Sequence, residues 1–205
     1  MLPVLELVEH KYTESDLEEC VLKKYKNCIM FEIPSNPSVR VVWHYNGKLH
    51  VGGWNTETNH KEGFGIEYIP EKYYYRGEFQ MNKKHGQGTM IGKDGSIYEG
   101  SWSHNGKQGQ GRSWDSNHLS YYEGEWVRGQ KEGYGHFEIE GNIYQGYFSH
   151  NLKEGFGVEV FKNGDKYCGE YKQGVMEGQG KYTWYNKAHY IGDFKGGNRH
   201  GMGKW

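Results

Sequence analysis

Histidine, cysteine, lysine and glycine are the residues of this chain whose types and spacing invite chemistry. There are 11 histidines, enough for a metal centre or a general base. Yet His85 and His200 stand just before a Gly-x-Gly pair, at the position held by Glu62, Glu132, Glu154 and Glu177 elsewhere. A position that exchanges histidine for glutamate reads as a solvated turn. The sequence holds no HExxH, no CxxC pair and no Cys/His cluster at zinc spacing. The expectation is therefore no metal ligand and no cofactor. The Gly-x-Gly pairs are not phosphate cradles, because a cradle needs a following Lys and Ser or Thr at a helix start. No GxSxG elbow accompanies them. Glu78, Glu125, Glu170 and Asp193 recur at one position and read as an exposed row. No catalytic residue is assigned, and the chain is expected not to be an enzyme.

Charge and hydropathy narrow the field further. Lys and Arg number 25 against 26 Asp and Glu, a formal net charge of -1, so no global field draws the chain to nucleic acid. Cys20, Cys28 and Cys168 are an odd set at spacings that suit neither disulfides nor zinc. A reducing, cytoplasmic home is expected. The opening MLPVLELVEH has no basic stretch ahead of its apolar residues, and no run approaches the roughly 20 apolar residues of a membrane span. Mean hydropathy is −0.98, and hydrophobic residues make up only 35%. Disorder would follow, except that the chain carries 18 Tyr, 8 Phe and 7 Trp. Burial must be mostly aromatic.

The elements that would position these residues emerge when the chain is read against itself. Tyr167, Gly169 and Tyr171 precede Gly178 and Gly180, and the same order recurs at Tyr75, Tyr98, Tyr122, Tyr144 and Tyr190. A degenerate first copy has His50 in place of Tyr, with Gly52 and Trp54 ahead of Gly63 and Gly65. The motif glycines fall at 52, 77, 100, 124, 146, 169 and 192, a period of about 23 residues that marks a repeat array. Tyr-x-Gly-x-aromatic alternates with period 2, so its three members share one face of a strand. Asn46-Gly47, Asp94-Gly95 and Asn163-Gly164 read as two-residue hairpin turns with positive φ at both positions. Glycine between two aromatics is expected to make room for a ring from the adjacent unit.

The fold expected is all-β: an elongated single-layer antiparallel sheet of stacked β-hairpins. A hairpin is not stable alone, and stacking supplies the missing core. Two regions are expected. Residues 1–47 form a short α/β cap, with a helix from Ser15 in SDLEECVLKKYKN and strands in CIMFEI and VRVVWHY. The helix caps the sheet or, alternatively, docks a partner. Residues 48–205 form an array of seven units, the last incomplete. Fourteen strands spaced about 4.8 Å apart would span on the order of 65 Å.

The YEGEWVRGQKEGYG of Tyr122 to Gly135 resembles the MORN (membrane occupation and recognition nexus) repeat. The resemblance covers about three quarters of the chain. It implies a twisted single-layer sheet with a groove, serving as a binding or scaffolding module. Family members occur in cytoskeletal and ciliary assemblies, in junctional membrane tethers, and as accessory regions of lipid kinases and methyltransferases. The leading expectation is a non-catalytic scaffold in a cytoskeletal, ciliary or axonemal assembly. Its groove is expected to bind an extended or helical protein segment through Tyr98, Trp102, Tyr122, Trp126, Tyr144, Phe148, Tyr167 and Tyr171. A homodimer through the C-terminal edge is the further expectation. One alternative is a peripheral membrane adaptor for phosphoinositides, with Lys61, Lys83, Lys84, Lys107, Lys131 and Lys153 as a row along one edge. Another is the repeat region of a larger enzyme.

Overall fold

The computed structural model describes residues 39–43 and 47–204. They form one antiparallel sheet of 15 strands whose spatial order is the chain order. The first strands are β1 (Val39–Trp43), β2 (Leu49–Asn55), β3 (His60–Ile69), β4 (Tyr73–Gln80) and β5 (Lys83–Gly92). The middle of the sheet is β6 (Ile97–Ser103), β7 (Gly106–Trp114), β8 (Ser120–Val127), β9 (Gln130–Ile139) and β10 (Asn142–Ser149). It ends with β11 (Leu152–Val160), β12 (Lys166–Lys172), β13 (Val175–Thr183), β14 (His189–Lys195) and β15 (Asn198–Lys204). The repeat accounts for all but β1, which extends the sheet beyond the first unit by pairing Val41 with Val51. The strand expected in VRVVWHY is therefore present as β1. The expected helix from Ser15 and the CIMFEI strand lie outside the described residues.

The register follows from the glycines. Every Tyr-x-Gly strand places its central glycine opposite a glycine of each neighbour, as Gly124 stands opposite Gly111 and Gly135. The tyrosine two residues earlier lies back across this glycine row. A Cβ on Gly77 would stand 2.5 Å from the Tyr75 hydroxyl, and one on Gly88 would meet the same ring at 2.6 Å. The ring that needs the space is thus the unit's own tyrosine, not one from the adjacent unit as the spacing suggests. Each of these hydroxyls donates to the carbonyl three residues on, for example Tyr75 to Glu78 at 2.9 Å and Tyr167 to Glu170 at 3.0 Å. That carbonyl sits where the register shifts after the central glycine. The bulge frees a backbone acceptor, and the tyrosine satisfies it.

Two kinds of turn connect the strands. The tight ones are Met81-Asn82, His104-Asn105, Arg128-Gly129, Glu140-Gly141, His150-Asn151, Gln173-Gly174 and Gly196-Gly197, with positive φ at both residues. These are the primed turns that match strand twist, and all but Glu140-Gly141 fall inside the repeat motif. At Asp94-Gly95 and Asn163-Gly164 only the glycine has positive φ. There the chain reverses over a longer loop closed by Gly92 N–H to Ser96 O and by Phe161 N–H to Asp165 O, at 2.8 and 2.9 Å. An aspartate side chain that accepts from Ser96 N–H at 3.0 Å stabilises the first of these.

The tight turns hold successive units together. Asn82, Asn105 and Asn151 each accept, through Oδ1, the backbone N–H of the lysine one unit earlier, at 2.8 Å in every case. Glu62, Glu132, Glu154 and Glu177 reach forward to accept from Met81, His150, Gln173 and Gly196 N–H, at 2.8 to 3.1 Å. The glutamate position before Gly-x-Gly is therefore a turn cap rather than a merely solvated site. His150 N–H, with Ser149, holds the Glu132 carboxyl below its ordinary range.

Candidate functional site

The motif aromatics build one continuous ladder on one face of the sheet, hereafter the inner face. Tyr75 stands edge-on to Phe79 of its own unit and to Trp102 of the next, with centroids 5.2 and 5.3 Å apart. The zigzag continues through Tyr98, Trp126, Tyr122 and Phe148, then through Tyr144, Tyr171, Tyr167, Phe194 and Tyr190. Centroid separations within it run from 4.9 to 5.5 Å. Edge-to-face pairs add about 0.5–1.5 kcal/mol each beyond the area they bury, and the pairs that join one unit to the next need the neighbour in place. Burial pushes the hydroxyls of Tyr75, Tyr98, Tyr122 and Tyr144 well above the ordinary phenol range.

All eight rings expected to line a groove belong to this ladder. Tyr98, Trp102, Tyr122, Trp126, Tyr144, Phe148, Tyr167 and Tyr171 are only 0–4% exposed. Neighbouring rings and the lysine stems that lie over them use up their surface, so they form the floor beneath the inner face. The surface above that floor comes from residues that the motif search passed over. Tyr73, Met90, Phe137, Phe161, Met176, Tyr182 and Trp184 pack on the ladder and stay partly exposed.

Two further rows lie on the inner face. The first carries cations opposite the second aromatic of each motif: Lys84 opposite Phe79, Lys107 opposite Trp102, Lys131 opposite Trp126 and Lys153 opposite Phe148. In later units Met176 and Arg199 take this place, opposite Tyr171 and Phe194. The ammonium groups rest on rings, Lys107 4.7 Å from both Tyr98 and Trp126, and Lys131 3.9 Å from Phe137. These lysines line the inner face over the rings, not one edge of the sheet, while Lys83 is exposed.

The second row lies two residues after each Gly-x-Gly: Glu67, Met90, Ser113, Phe137, Glu159 and Tyr182. Each stands in register between two ladder positions, as Ser113 does between Tyr98 and Tyr122. Its parity with the glycines was the signal available in the sequence. Glu67 pairs with Lys61 at 2.9 Å, and Glu159 with Lys153 at 2.5 Å. Glu159 also accepts from the Tyr171 hydroxyl at 2.7 Å.

Two cavities open on this face. One of about 490 Å³ is lined by Lys61, Glu67, Tyr73 and Lys84 among others, and one of about 230 Å³ by Lys107, Ser113, Trp114 and Lys131 among others. Burial lowers the Lys84 and Lys131 ammonium groups to about 8, with Lys107 pressing Lys131 the same way. It lowers Lys107 as well.

The opposite face carries scattered exposed rings, with Tyr134 and Tyr147 in edge-to-face contact at 5.6 Å. Phe64, Tyr134, Tyr147 and Phe156 are 52–58% exposed. The Gly-x-Gly central residue is Gln87, Gln110 or Gln179 in the intervening units, so these rings do not form an unbroken stripe. Among the described residues no group of His, Cys, Asp and Glu could hold a metal ion, and no helix is long and apolar enough to cross a membrane.

The family model described as MORN repeat matches this chain six times, at residues 75–97, 98–119, 122–139, 144–166, 167–188 and 190–205. The unit begun by His50 precedes these matches but keeps their register, with Gly52 opposite Gly65. No curated protein matches the chain. Among solved structures it is similar to the TCP domain of SAS-4 (dCPAP) of Drosophila melanogaster, solved in complex with a proline-rich motif of Ana2 (dSTIL). That similarity has 10% identity, covers 80% of this chain and 84% of that one, and gives a TM-score of 0.39.

Proposed function

This chain belongs to the MORN-repeat family, a non-catalytic repeat module suited to protein interaction, and from that premise we propose that it is a scaffold in a cytoskeletal assembly, ciliary or axonemal by the resemblance. Its inner face holds a protein partner in extended or helical form. The observation that carries this reading is the unbroken ladder from Phe79 to Tyr190, overlaid by a partly exposed apolar row. Such a surface offers one long track, and aromatic contacts give area at low entropic cost. The eight buried rings serve by fixing the height and spacing of that track. The protein works in the cytoplasm, bound to cytoskeleton.

Detergent extraction of cells expressing the tagged protein, then a salt wash of the insoluble fraction, tests the proposal. Retention in the pellet is the expected result, and crosslinking there identifies the neighbours. Complete release by detergent alone would end the cytoskeletal reading.

A further inference from the structure

The central units of the inner face have a charge pattern that the flanking units do not. Where Glu67 and Glu159 stand, each neutralises the lysine six residues before it. The same position holds Met90, Ser113 and Phe137 in the three units between, and Lys84, Lys107 and Lys131 therefore have no carboxylate from their own unit. Lys84 still feels Glu67 and sits 3.8 Å from Met90 Sδ. Lys107 and Lys131 make no ion pair among the described residues, and each is half-buried on aromatic rings. Ser113 is the smallest residue of its row, and the 230 Å³ cavity opens beside it, with both lysines in its wall. Asp115 also lines this cavity. Its carboxylate is engaged by the Asn117 amide at 3.0 Å and makes no ion pair with either lysine.

We propose that the cavity beside Ser113 receives a carboxylate from an acidic protein segment, which takes the position that Glu67 and Glu159 fill in the flanking units. This rests on the scaffold reading and specifies the chemistry of its partner. Two half-buried cations are costly unless an anion compensates them, and the fold itself shows which anion fits: a carboxylate on a short stem, between two ladder tyrosines. Met90, Ile97 and Trp114 line the cavity, so the segment carries apolar residues beside its Glu or Asp. Lysines also bind phosphate, but the occupant that the fold itself seats at this row is the carboxylate of Glu67 and Glu159. In a sheet of 15 strands, β7 and β9 bracket the central one, so the anchor lies midway along the track.

The test is fluorescence anisotropy with a labelled alternating Val-Glu peptide, with a Val-Lys peptide, inorganic phosphate and phosphoinositide-containing vesicles as comparisons. Two variants accompany the wild type. Ser113→Glu installs the missing carboxylate in cis. Lys107→Met with Lys131→Met removes the cations, using the residue that Met176 already places at this position. The expected result is saturable binding of the Val-Glu peptide, weakened at least about tenfold in both variants, with Ser113→Glu unfolding at a higher temperature than wild type. Binding indifferent to both variants, equal binding of the Val-Lys peptide, saturation only by phosphate or vesicles, or no binding up to about 1 mM peptide would each overturn it. Pellet retention is read separately, so the scaffold can stand while this site falls.

Discussion

Gly157 lies directly beneath the ring of Tyr144, so close that a Cβ built on it would stand 2.5 Å from the tyrosine hydroxyl. The glycine and tyrosine rows are therefore one device, each repeat fixing a ring at a height that only a bare backbone allows. Gly157→Ala is expected to cost about 1–3 kcal/mol by overpacking. Gly155→Ala, at φ +64° with only Tyr147 Cβ nearby at 3.8 Å, meets backbone strain alone, about 1 kcal/mol. Urea unfolding of the two variants checks this, and a milder effect at Gly157 than at Gly155 would refute the ring-on-glycine account.

The tight turns predict a stabilising change. Asn105 Oδ1 accepts from Lys84 N–H, whereas Gly129 has no side chain to do the same for Lys107. A Cβ at Gly129 meets nothing within 4 Å, and asparagine tolerates positive φ. Gly129→Asn should therefore gain roughly 0.5–1 kcal/mol, and Asn105→Gly should lose a similar amount. Thermal melts of both suffice, and a destabilised Gly129→Asn would count against the inter-unit bond.

His50 makes the first unit acid-sensitive. It is fully buried and packs edge-on to Phe79 at 5.0 Å. Burial, with Lys61 and Lys48 adding repulsion against the attraction of Glu67, lowers its pKa from 6.5 to about 4. Above pH ~6.5 the imidazole is neutral in both folded and unfolded chains. As pH falls from there toward 4, the unfolded chain takes up a proton that the folded one refuses, and stability drops by on the order of 3 kcal/mol. His50→Tyr restores the motif residue and should flatten that window in a pH series of urea midpoints. A variant as acid-sensitive as wild type would assign the loss elsewhere.

For partner capture, the two faces should behave differently. Tyr134→Ser with Phe156→Ser, on the opposite face, should leave retention and stability nearly unchanged, within about 0.5 kcal/mol for stability. Phe137→Ala on the inner face should reduce retention severalfold. Trp102→Ala with Trp126→Ala should instead unfold the array, at about 3–5 kcal/mol per ring. Loss of retention from the opposite-face pair would move the docking surface.

Much of this architecture was legible because the repeat supplies its own alignment. The period of Gly77, Gly100 and Gly124 gave the units, and alternation in Tyr-x-Gly-x-Trp gave the shared face. Spacing could not show which ring occupies the glycine gap, since Tyr75 reaches Gly88 only through the inter-strand register. Nor could it distinguish turn types: Asp94-Gly95 has hairpin composition, yet Met81-Asn82, with a bulky first residue, makes the tighter turn. The eight motif rings were legible as a set and as buried material, but spacing could not show how little of each ring stays open, because that depends on lysine stems folding over them. The row of Met90, Ser113 and Phe137 varies too much to stand out as a motif. Its importance lies in the absence of a glutamate, which is visible only once Lys107 and Lys131 are seen beside it.

Because every described strand pairs with the strand that precedes it in the chain, the sheet they form contains no long closure. An all-β protein built this way escapes the slow search that distant pairings impose, and each hairpin can settle on a finished neighbour as soon as it leaves the ribosome. The same order sets its response to load. Pulled from its two ends, the molecule should come apart like a zip, hairpin by hairpin, in small and nearly equal steps, where a sandwich of similar size would rupture at once.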